Sequence, residues 1–253
     1  MTNNQIKYIS SLKQKKFRDK HNKFIVEGDK LVKELLNSHY DIENIYAVKE
    51  WAETLDIVSN NIIEISAKEL KRISLLKTPN KVLAVADIKT TEYNLKDISK
   101  ELSIVIDDIQ DPGNFGTIMR TADWFGIKNV FCSSNSVDVF NPKVVQATMG
   151  AIFRVNIYYI NIADFIKQTS KYKLPVYGTY LEGENIYQQK FTQNGIIVFG
   201  NEGAGISDNI SSLINNKIHI PSFGNAGESL NIASAVAIVC SEFRRGKTNK
   251  DIV

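Results

Sequence analysis

Short apolar runs alternate along the chain with stretches whose apolar residues recur at helical spacing. In the N-terminal part this pattern predicts strands at residues 24–27, 45–48, 61–65 and 82–86, with helices between them. A basic helix is predicted ahead of the first strand, over residues 6–18. Strands that alternate with helices predict a small α/β layer domain.

The C-terminal part continues the alternation with more buried strands. Strands are predicted at 104–106, 129–132, 155–157, 176–179, 196–199 and 217–220, and helices at 114–125, 142–149, 163–171 and 229–245. Uninterrupted apolar runs are typical of parallel strands that are buried on both faces. The last helix is apolar nearly all round, so we expect it to be buried on most sides. A polar stretch at 89–100 predicts a linker, which gives domains 1–95 and 96–253.

The stretch 104–126 carries the most informative pattern. An apolar strand breaks at two aspartates and turns through Asp-Pro-Gly. The helix that follows is predicted to be capped by Asn114 and closed by Gly126, with Arg120 opposite its apolar face. In an open α/β sheet, a polar loop and helix start at the carboxyl end of a strand, as here, are where ligands bind. An ordinary strand–helix unit with a capping Asn and a solvated Arg is the alternative.

Two further loops contain glycine, amide, acidic and hydroxyl residues. One is GNEGAG at 200–205, directly after a buried strand, and the other spans 221–231. Glycines let a backbone approach a ligand closely, and a helix start presents free amides, so the loops predict a pocket for a polar molecule with an adenosine-like body. Taken alone, Glu202 could brace a turn and Ser229 could be only a helix cap. Asn231, predicted inside an apolar helix, needs hydrogen-bond partners.

Missing motifs disfavour several other chemistries. The chain has no GxxxxGK[ST] phosphate loop, no GxSxG elbow and no HExxH helix, and 200–205 is not GxGxxG. Cys132 and Cys240 lack metal-ligand spacing and are expected to be buried thiols in a reducing cytoplasm. The three histidines form no cluster, so no metal site is expected.

Composition and charge narrow the class of protein. The 253 residues are 43% hydrophobic and 23% charged, as in globular proteins. There is no apolar run of membrane-spanning length and no apolar signal core at the N-terminus, so a cytoplasmic protein is expected. Net charge is only +3, but Lys13, Lys15, Lys16 and Arg18 belong to a basic N-terminal segment. That segment suits RNA, with a solvated helix face as the alternative.

Four stretches together resemble the SpoU family of ribose 2'-O RNA methyltransferases, of the SPOUT class. They are DDIQDPGNFGTIMRTADWFG, PKVVQATMGAIFRV, IVFGNEGAGIS and IPSFGNAGESLNIASAVAI, in that order, within residues 102–245. The resemblance implies a C-terminal SPOUT domain with a parallel sheet and a deep trefoil knot, S-adenosylmethionine as methyl donor, and a homodimer. The N-terminal part resembles the family's small ribosomal-protein-like substrate-binding domain.

The same resemblance assigns roles by position. The polar residues of its three motifs are Asn114, Arg120, Glu202, Ser229 and Asn231. The positions that hold the cofactor are Phe199, Gly200, Ile220, Ser229 and Leu230. One departure is a loop at 221–229 that is one residue longer than the family pattern, which affects contacts to the methionine end of the cofactor.

The implied reaction is methyl transfer to a ribose 2'-hydroxyl, with ribosomal RNA favoured because a separate N-terminal domain suits folded rRNA elements. Arg120 is expected to stabilise the developing alkoxide, since a neutral guanidinium is costly and this disfavours a role as a base. No metal is required. The alternatives are a transfer RNA enzyme, a SPOUT enzyme that methylates a base, and a non-catalytic RNA-binding assembly factor.

Overall fold

The computed structural model describes residues 1–55, 61–224 and 229–246. Its first elements are α1 (Asn3–Ser11), α2 (Lys15–His21), β1 (Lys23–Glu27), α3 (Asp29–Leu36), β2 (Ile42–Ala47), α4 (Lys49–Ala52), β3 (Ile62–Glu64), α5 (Ala67–Ile73), β4 (Val82–Asp87) and α6 (Leu95–Ile98). Then follow β5 (Leu102–Ile106), α7 (Pro112–Trp124), β6 (Asn129–Ser133), α8 (Pro142–Thr148), β7 (Asn156–Ile160), α9 (Ile162–Thr169), β8 (Val176–Asn185), β9 (Gly195–Phe199), α10 (Asp208–Ser211), β10 (Asn216–His219) and α11 (Ile232–Arg244). Each strand predicted from the sequence coincides with one of these to within a few residues, except that β8 runs on to Asn185.

The chain forms two compact units. Unit 1 is Met1–Thr90 with Asp138–Arg154, and unit 2 is Thr91–Val137 with Val155–Val253. The domain limits predicted from the sequence follow chain order, whereas these units follow packing. The segment 138–154, which includes α8, therefore packs with the N-terminal unit although it lies far along the chain.

Unit 1 is built on a four-stranded sheet in the order β1-β4-β2-β3. Strands β2 and β3 are parallel, and β4 pairs antiparallel with both β1 and β2. Helices α1 and α5 contribute Ile9, Leu12 and Leu70 to a core with Ile25 and Val85 of the sheet. This is the small α/β layer domain that the alternating pattern predicts.

The basic N-terminal segment is two helices, so the prediction of one helix over 6–18 is wrong. Leu12 ends α1, with its amide donating to the carbonyl of Ile9 at 3.1 Å, and α2 starts at Lys15. The Leu12 side chain is fully buried, which draws the chain into the core and turns it there. Lys13, Lys15 and Lys16 are exposed around this turn.

Arg18 lies in the interior of unit 1, with 2% of its surface exposed. Its guanidinium donates to the Asp138 carboxylate, at 3.0 Å from Nε, and to the carbonyl oxygens of Leu12 and Lys13, both at 2.9 Å. A cation is stabilised at the C-terminal end of a helix, and α1 ends here. Because these donors are already paired and buried, Arg18 is not available to a phosphate, and its assignment to the RNA-binding residues is corrected.

Unit 2 is built on a six-stranded parallel sheet in the order β10-β8-β9-β5-β6-β7. The chain moves from β5 to β6 and β7 on one side, whereas β9, β8 and β10 lie on the other side. The strand order therefore reverses between β5 and β9, where Ile106 pairs with Phe199. In open α/β sheets, ligands bind at the carboxyl ends of strands at such a reversal.

Helix α7 begins two residues earlier than predicted, because Asp111 rather than Asn114 caps it. The Asp111 carboxylate accepts the Asn114 amide at 2.7 Å, and Pro112 occupies the first helical position, where it lacks only a donor that would be unpaired anyway. The side chain of Asn114 is therefore free for other contacts. Gly126, with φ +64°, follows the end of the helix as predicted.

Helix α11 begins at Ile232 and not at residue 229, because Asn231 caps it. The Asn231 Oδ1 accepts the amides of Ala233 and Ser234 at 3.0 and 3.4 Å. One side of α11 is buried, and α11 packs on α7. Ala235 and Ile238 are only half-buried, so the other side stays partly open in this chain.

Four further expectations from the sequence concern the two cysteines, membrane-spanning helices, a metal site and the trefoil knot. Cys132 and Cys240 are buried as predicted, and burial raises the pKa of both thiols. Within residues 1–55, 61–224 and 229–246, no helix has the length and apolarity to cross a membrane, and no group of acidic, His or Cys side chains could hold a metal ion. The trefoil knot stays a prediction.

Candidate functional site

Two loops of unit 2 meet where β5 and β9 end. The chain leaves β5 through Asp107 and Asp108, and leaves β9 through Gly200 and Asn201. Nδ2 of Asn201 donates to the Asp108 carbonyl at 2.8 Å. Ser207, at the other end of the β9 loop, donates its amide and hydroxyl to Asp107 Oδ2 at 2.9 and 2.6 Å. The β9 loop is therefore tied to the end of β5 at both of its ends.

Three polar side chains from separate parts of the chain meet beside these loops. Nδ2 of Asn114 donates to Oε1 of Glu202 at 2.5 Å, and Nδ2 of Asn231 donates to the same oxygen at 3.3 Å. Nδ2 of Asn231 also donates to Oδ1 of Asn114 at 3.1 Å. The carboxylate of Glu202 thus accepts from two amides that also bond to each other. We call these three residues the Asn–Glu–Asn cluster.

The two helix starts explain why the cluster has defined geometry. Because Oδ1 of Asn231 caps α11, its Nδ2 is directed away from that helix and toward Asn114 and Glu202. Asn114 lies in the first turn of α7, which Asp111 caps and Pro112 begins. Both amides are therefore mounted on helix termini, and only Glu202 is carried by a loop.

Three peptide groups in the loops of unit 2 are candidates for binding a ligand. The peptide groups of Gly200, Ile220 and Leu230 make no hydrogen bond with the residues that the structure describes. Gly200 also has no space for a side chain, since a Cβ there would lie 2.1 Å from the carbonyl carbon of Gly205. Unpaired amides and carbonyls beside a glycine suit the edge of a nucleobase such as adenine.

Two protein-family models match this chain. The family model described as SpoU rRNA Methylase family matches residues 101–241, more than half of the chain and the whole of the site described above. The chain belongs to the SpoU rRNA methylase family. A second model, described as MRM3-like substrate binding domain, matches residues 3–84 of unit 1.

Relatives of similar length support the assignment to the SpoU family. The 23S rRNA (guanosine(2553)-2'-O)-methyltransferase RlmP of Bacillus subtilis is 31% identical, over 96% of each chain. A TrmH-family structure from Porphyromonas gingivalis is 38% identical with a TM-score of 0.89, covering 97% of this chain and 98% of that one. An rRNA methyltransferase from Sinorhizobium meliloti, described with AdoMet bound, is 30% identical with a TM-score of 0.85, over 97% and 95% of the two chains.

Two of the SpoU motif residues lie outside the cluster. Arg120 is exposed on α7, and Ser229 is exposed ahead of α11. Neither makes a hydrogen bond or an ion pair with the parts of the chain that the structure describes. The structure therefore brings together Asn114, Glu202 and Asn231, and leaves the Arg120 guanidinium open to an incoming group.

The positions that the SpoU resemblance assigns to the cofactor differ in accessibility. Leu230 is 53% exposed and Ile220 is half-buried. Phe199 is 1% exposed, and its carbonyl accepts the Asp107 amide at 2.9 Å, so this residue joins the two strands. In the longer loop at 221–229, residues 225–228 lie outside the described residues.

A cleft of about 390 Å³ opens at the same strand ends. Its lining includes Asp107, Asp108, Asn161 and Asn209, but no lysine or arginine. A cleft that carries carboxylates and no cations repels phosphate. An RNA backbone therefore needs its cations elsewhere on the protein.

The sequence patterns missed the residues that hold the SpoU loops in place. Asp107, Asp108, Asn201 and Ser207 link the two strand ends, and none of them was a candidate from the sequence. The available signals were the paired aspartates directly after β5 and an amide next to the loop glycines, both common in backbone-bonded turns.

Proposed function

We propose that this SpoU-family protein transfers a methyl group from S-adenosylmethionine to a ribose 2'-hydroxyl of ribosomal RNA. The observation that carries the proposal is the Asn–Glu–Asn cluster, in which Asn114, Glu202 and Asn231 bond at the reversal of the parallel sheet. The name of the Bacillus subtilis relative specifies 23S rRNA and ribose methylation, and that relative is aligned over nearly the whole chain.

The peptide groups of Gly200, Ile220 and Leu230 are the proposed cofactor contacts. Their N–H and C=O groups, which have no partner among the described residues, can pair with the adenine edge without any charged side chain. The AdoMet described in the Sinorhizobium meliloti relative supports this choice of donor. When bound, the cofactor supplies a methyl group that its sulfonium has already activated.

The protein has to position the ribose oxygen and stabilise its charge. In the transfer, the 2'-oxygen bonds to the methyl carbon, the carbon–sulfur bond breaks with its electron pair on sulfur, and the hydroxyl proton leaves. The Arg120 guanidinium would stabilise the developing alkoxide, because a guanidinium is a cationic donor and Arg120 has no hydrogen-bond or ion-pair partner among the described residues. A nearby phosphate of the RNA would take the proton. The Asn–Glu–Asn cluster would orient the ribose.

Unit 1 is proposed to hold the RNA. Lys13, Lys15 and Lys16 are exposed around the turn between α1 and α2, and this region lies within the match to a substrate-binding domain. Exposed lysines contact phosphates without reading sequence, so they would contribute affinity and salt dependence. Arg18 is excluded from this set because it is buried against Asp138.

A homodimer is proposed through α7 and α11. Trp124, at the end of α7, is 85% exposed, and Ala235 and Ile238 leave one side of the adjacent α11 only half-covered. A second copy of the chain would bury these apolar surfaces by a symmetric contact. The Arg244 Nε donates to the Phe125 carbonyl at 3.0 Å, which holds the ends of the two helices together.

Ribose methylation in cells tests the proposal. We expect that deleting the gene removes a 2'-O-methyl group from one ribosomal RNA nucleotide, and that the wild-type gene restores it. A change in transfer RNA instead would favour the transfer RNA alternative. If a catalytically disabled variant rescues ribosome assembly in the deletion strain, the assembly-factor alternative is favoured.

A further inference from the structure

The loop that carries Glu202 is closed into a ring by its own backbone. The amide of Asn201 donates to the carbonyl of Gly205 at 2.9 Å, and the amide of Gly205 donates back to the carbonyl of Asn201 at 2.9 Å. Glu202 is the first residue inside this ring. Its carboxylate can reach Asn114 and Asn231 only if the ring keeps its shape and its place.

The side chain of Asn201 sets both the shape and the place of the ring. Its Oδ1 accepts the amides of Gly203 and Ala204 at 2.9 and 3.1 Å, which fixes the shape. Its Nδ2 donates to the carbonyl and to Oδ2 of Asp108, at 2.8 and 3.3 Å, which ties the ring to the end of β5. A side-chain amide can accept on one side and donate on the other in this way, whereas a carboxylate can only accept.

Asp108 is held in an uncommon conformation to receive these bonds. Its φ is +64°, in the left-handed region that Asp and Asn tolerate better than other side chains. Its amide donates to Ser133 Oγ at 2.8 Å, so the end of β6 also supports it. A strained backbone of this kind persists when several contacts define it.

We propose that Asn201 is a positioning residue for methyl transfer: it locks the Glu202 loop against Asp108 and so places the carboxylate for the Asn–Glu–Asn cluster. The proposal rests on the function proposed above, since it assigns a role within that site. Asn201 touches neither of the two cluster amides and acts only through Glu202. Misplacement of a reacting group by about 1 Å can cost about a hundredfold in rate, so small movements of this ring are expected to matter.

The test compares variants that change one atom of the side chain. Asn201→Asp keeps the acceptor for Gly203 and Ala204, loses the donor, and places a carboxylate against that of Asp108. We expect kcat to fall at least tenfold, with KM for RNA and for S-adenosylmethionine changed less than threefold. Asp108→Asn alone should be mild, because Asn also tolerates a left-handed φ. The double variant removes the repulsion between carboxylates and should regain at least threefold in kcat over Asn201→Asp.

Controls separate positioning from general damage. Asn215→Asp adds the same charge at an exposed residue between α10 and β10, away from the cleft, and should leave kcat unchanged. Wild-type kcat in Asn201→Asp, equal loss in Asn215→Asp, or failure of Asp108→Asn to restore any activity would overturn the proposal. So would a melting temperature of Asn201→Asp low enough for unfolding at the assay temperature to account for the whole loss of activity.

Amide hydrogen exchange tests the ring whether or not the chosen RNA is methylated. In the wild type the amides of Gly203 and Ala204 should be protected, and Asn201→Ala should speed their exchange at least tenfold. Unprotected amides in the wild type would overturn the role of Asn201. Protected amides together with no methyl transfer to ribosomal RNA by the wild-type protein would instead count against the proposed function.

Discussion

Asn114 and Glu202 lie 88 residues apart in the sequence and are joined by a 2.5 Å hydrogen bond from Nδ2 to Oε1. One residue is carried by a helix start after β5 and the other by a loop after β9. Since these two strands are neighbours at the reversal of the sheet, the fold brings together groups that no local pattern connects.

Asn114→Asp should disable the cluster without unfolding unit 2. The new carboxylate cannot donate to Glu202 and would repel it. We expect kcat to fall by roughly a hundredfold, the scale for losing one positioned polar group. Single-turnover methyl transfer measures this, with Asn215→Asp at an exposed loop position as the matched control. Equal rates for the wild type and Asn114→Asp would remove the cluster from the mechanism.

Gly200→Ala should abolish cofactor binding, because its Cβ would lie 2.1 Å from the Gly205 backbone and force the loop open. Gly203→Ala, in the same loop, is the matched control. Its Cβ would meet nothing closer than Asn201 Oδ1 at 3.7 Å, so binding should be unchanged. Calorimetry with S-adenosylmethionine compares the two variants. Similar affinities for both would contradict the assignment of this loop to the cofactor.

Replacing Lys13, Lys15 and Lys16 together by Ala should weaken RNA binding and leave cofactor affinity intact. If these lysines each neutralise a phosphate, the slope of log affinity against log salt should fall by about two. Binding measured over a salt series checks this. An unchanged slope would place the RNA contacts elsewhere.

Arg18→Ala provides the contrasting variant in that experiment. Removing this guanidinium leaves the Asp138 carboxylate, which is 14% exposed, without its cation, although the Phe140 amide still donates to its Oδ1. Loss of one partner of a buried ion pair costs about 3–5 kcal/mol, so the free energy of unfolding should fall. Denaturant titration distinguishes this loss of stability from the loss of RNA affinity expected for the lysine variant.

Trp124→Arg should weaken the proposed homodimer. A side chain that is 85% exposed stabilises the single chain little, so a change of oligomeric state is expected without unfolding. Tyr172→Arg, at a partly exposed aromatic residue outside α7 and α11, is the control. Sedimentation analysis at micromolar concentration compares them. A Trp124→Arg variant with the wild-type oligomeric state would rule out this surface.

Arg120→Ala should lower methyl transfer at saturating RNA by roughly a hundredfold or more, as for the loss of a donor to a developing oxyanion. Because Arg120 is exposed and unpaired among the described residues, stability should hardly change. Lys167→Ala removes a charge at an exposed position of α9 and should keep full activity. Wild-type single-turnover rates for Arg120→Ala would show that alkoxide stabilisation comes from another group.

The sheet was predictable because its strands are apolar runs bounded by turn residues, as at 196–199 and 82–86. The first residue of a helix was harder to predict where two residues could each cap the helix. Asp111 and Asn114 both fit the α7 cap, and Pro112 at the first helical position decides for Asp111. Asn231 likewise proved to be a cap rather than an interior residue, which explains how a polar side chain can precede an apolar helix.

Long-range pairing accounts for what the sequence could not predict. Arg18 resembles its exposed basic neighbours, and its ion pair with Asp138, 120 residues away, has no local signal in the sequence. Asn201 is likewise defined by Asp108, 93 residues earlier in the chain. The motif resemblance did select Asn114, Glu202 and Asn231, but the bonds among them required the fold.

The most direct measurement incubates the purified protein with isotopically labelled S-adenosylmethionine and ribosomal RNA, and then maps the label by resistance of the adjacent phosphodiester to alkaline cleavage. The wild-type protein should place one methyl group on a ribose 2'-oxygen at a single nucleotide, and Glu202→Ala should place almost none. Label on a base, or label on transfer RNA with none on ribosomal RNA, would contradict ribosomal RNA ribose methylation by this site.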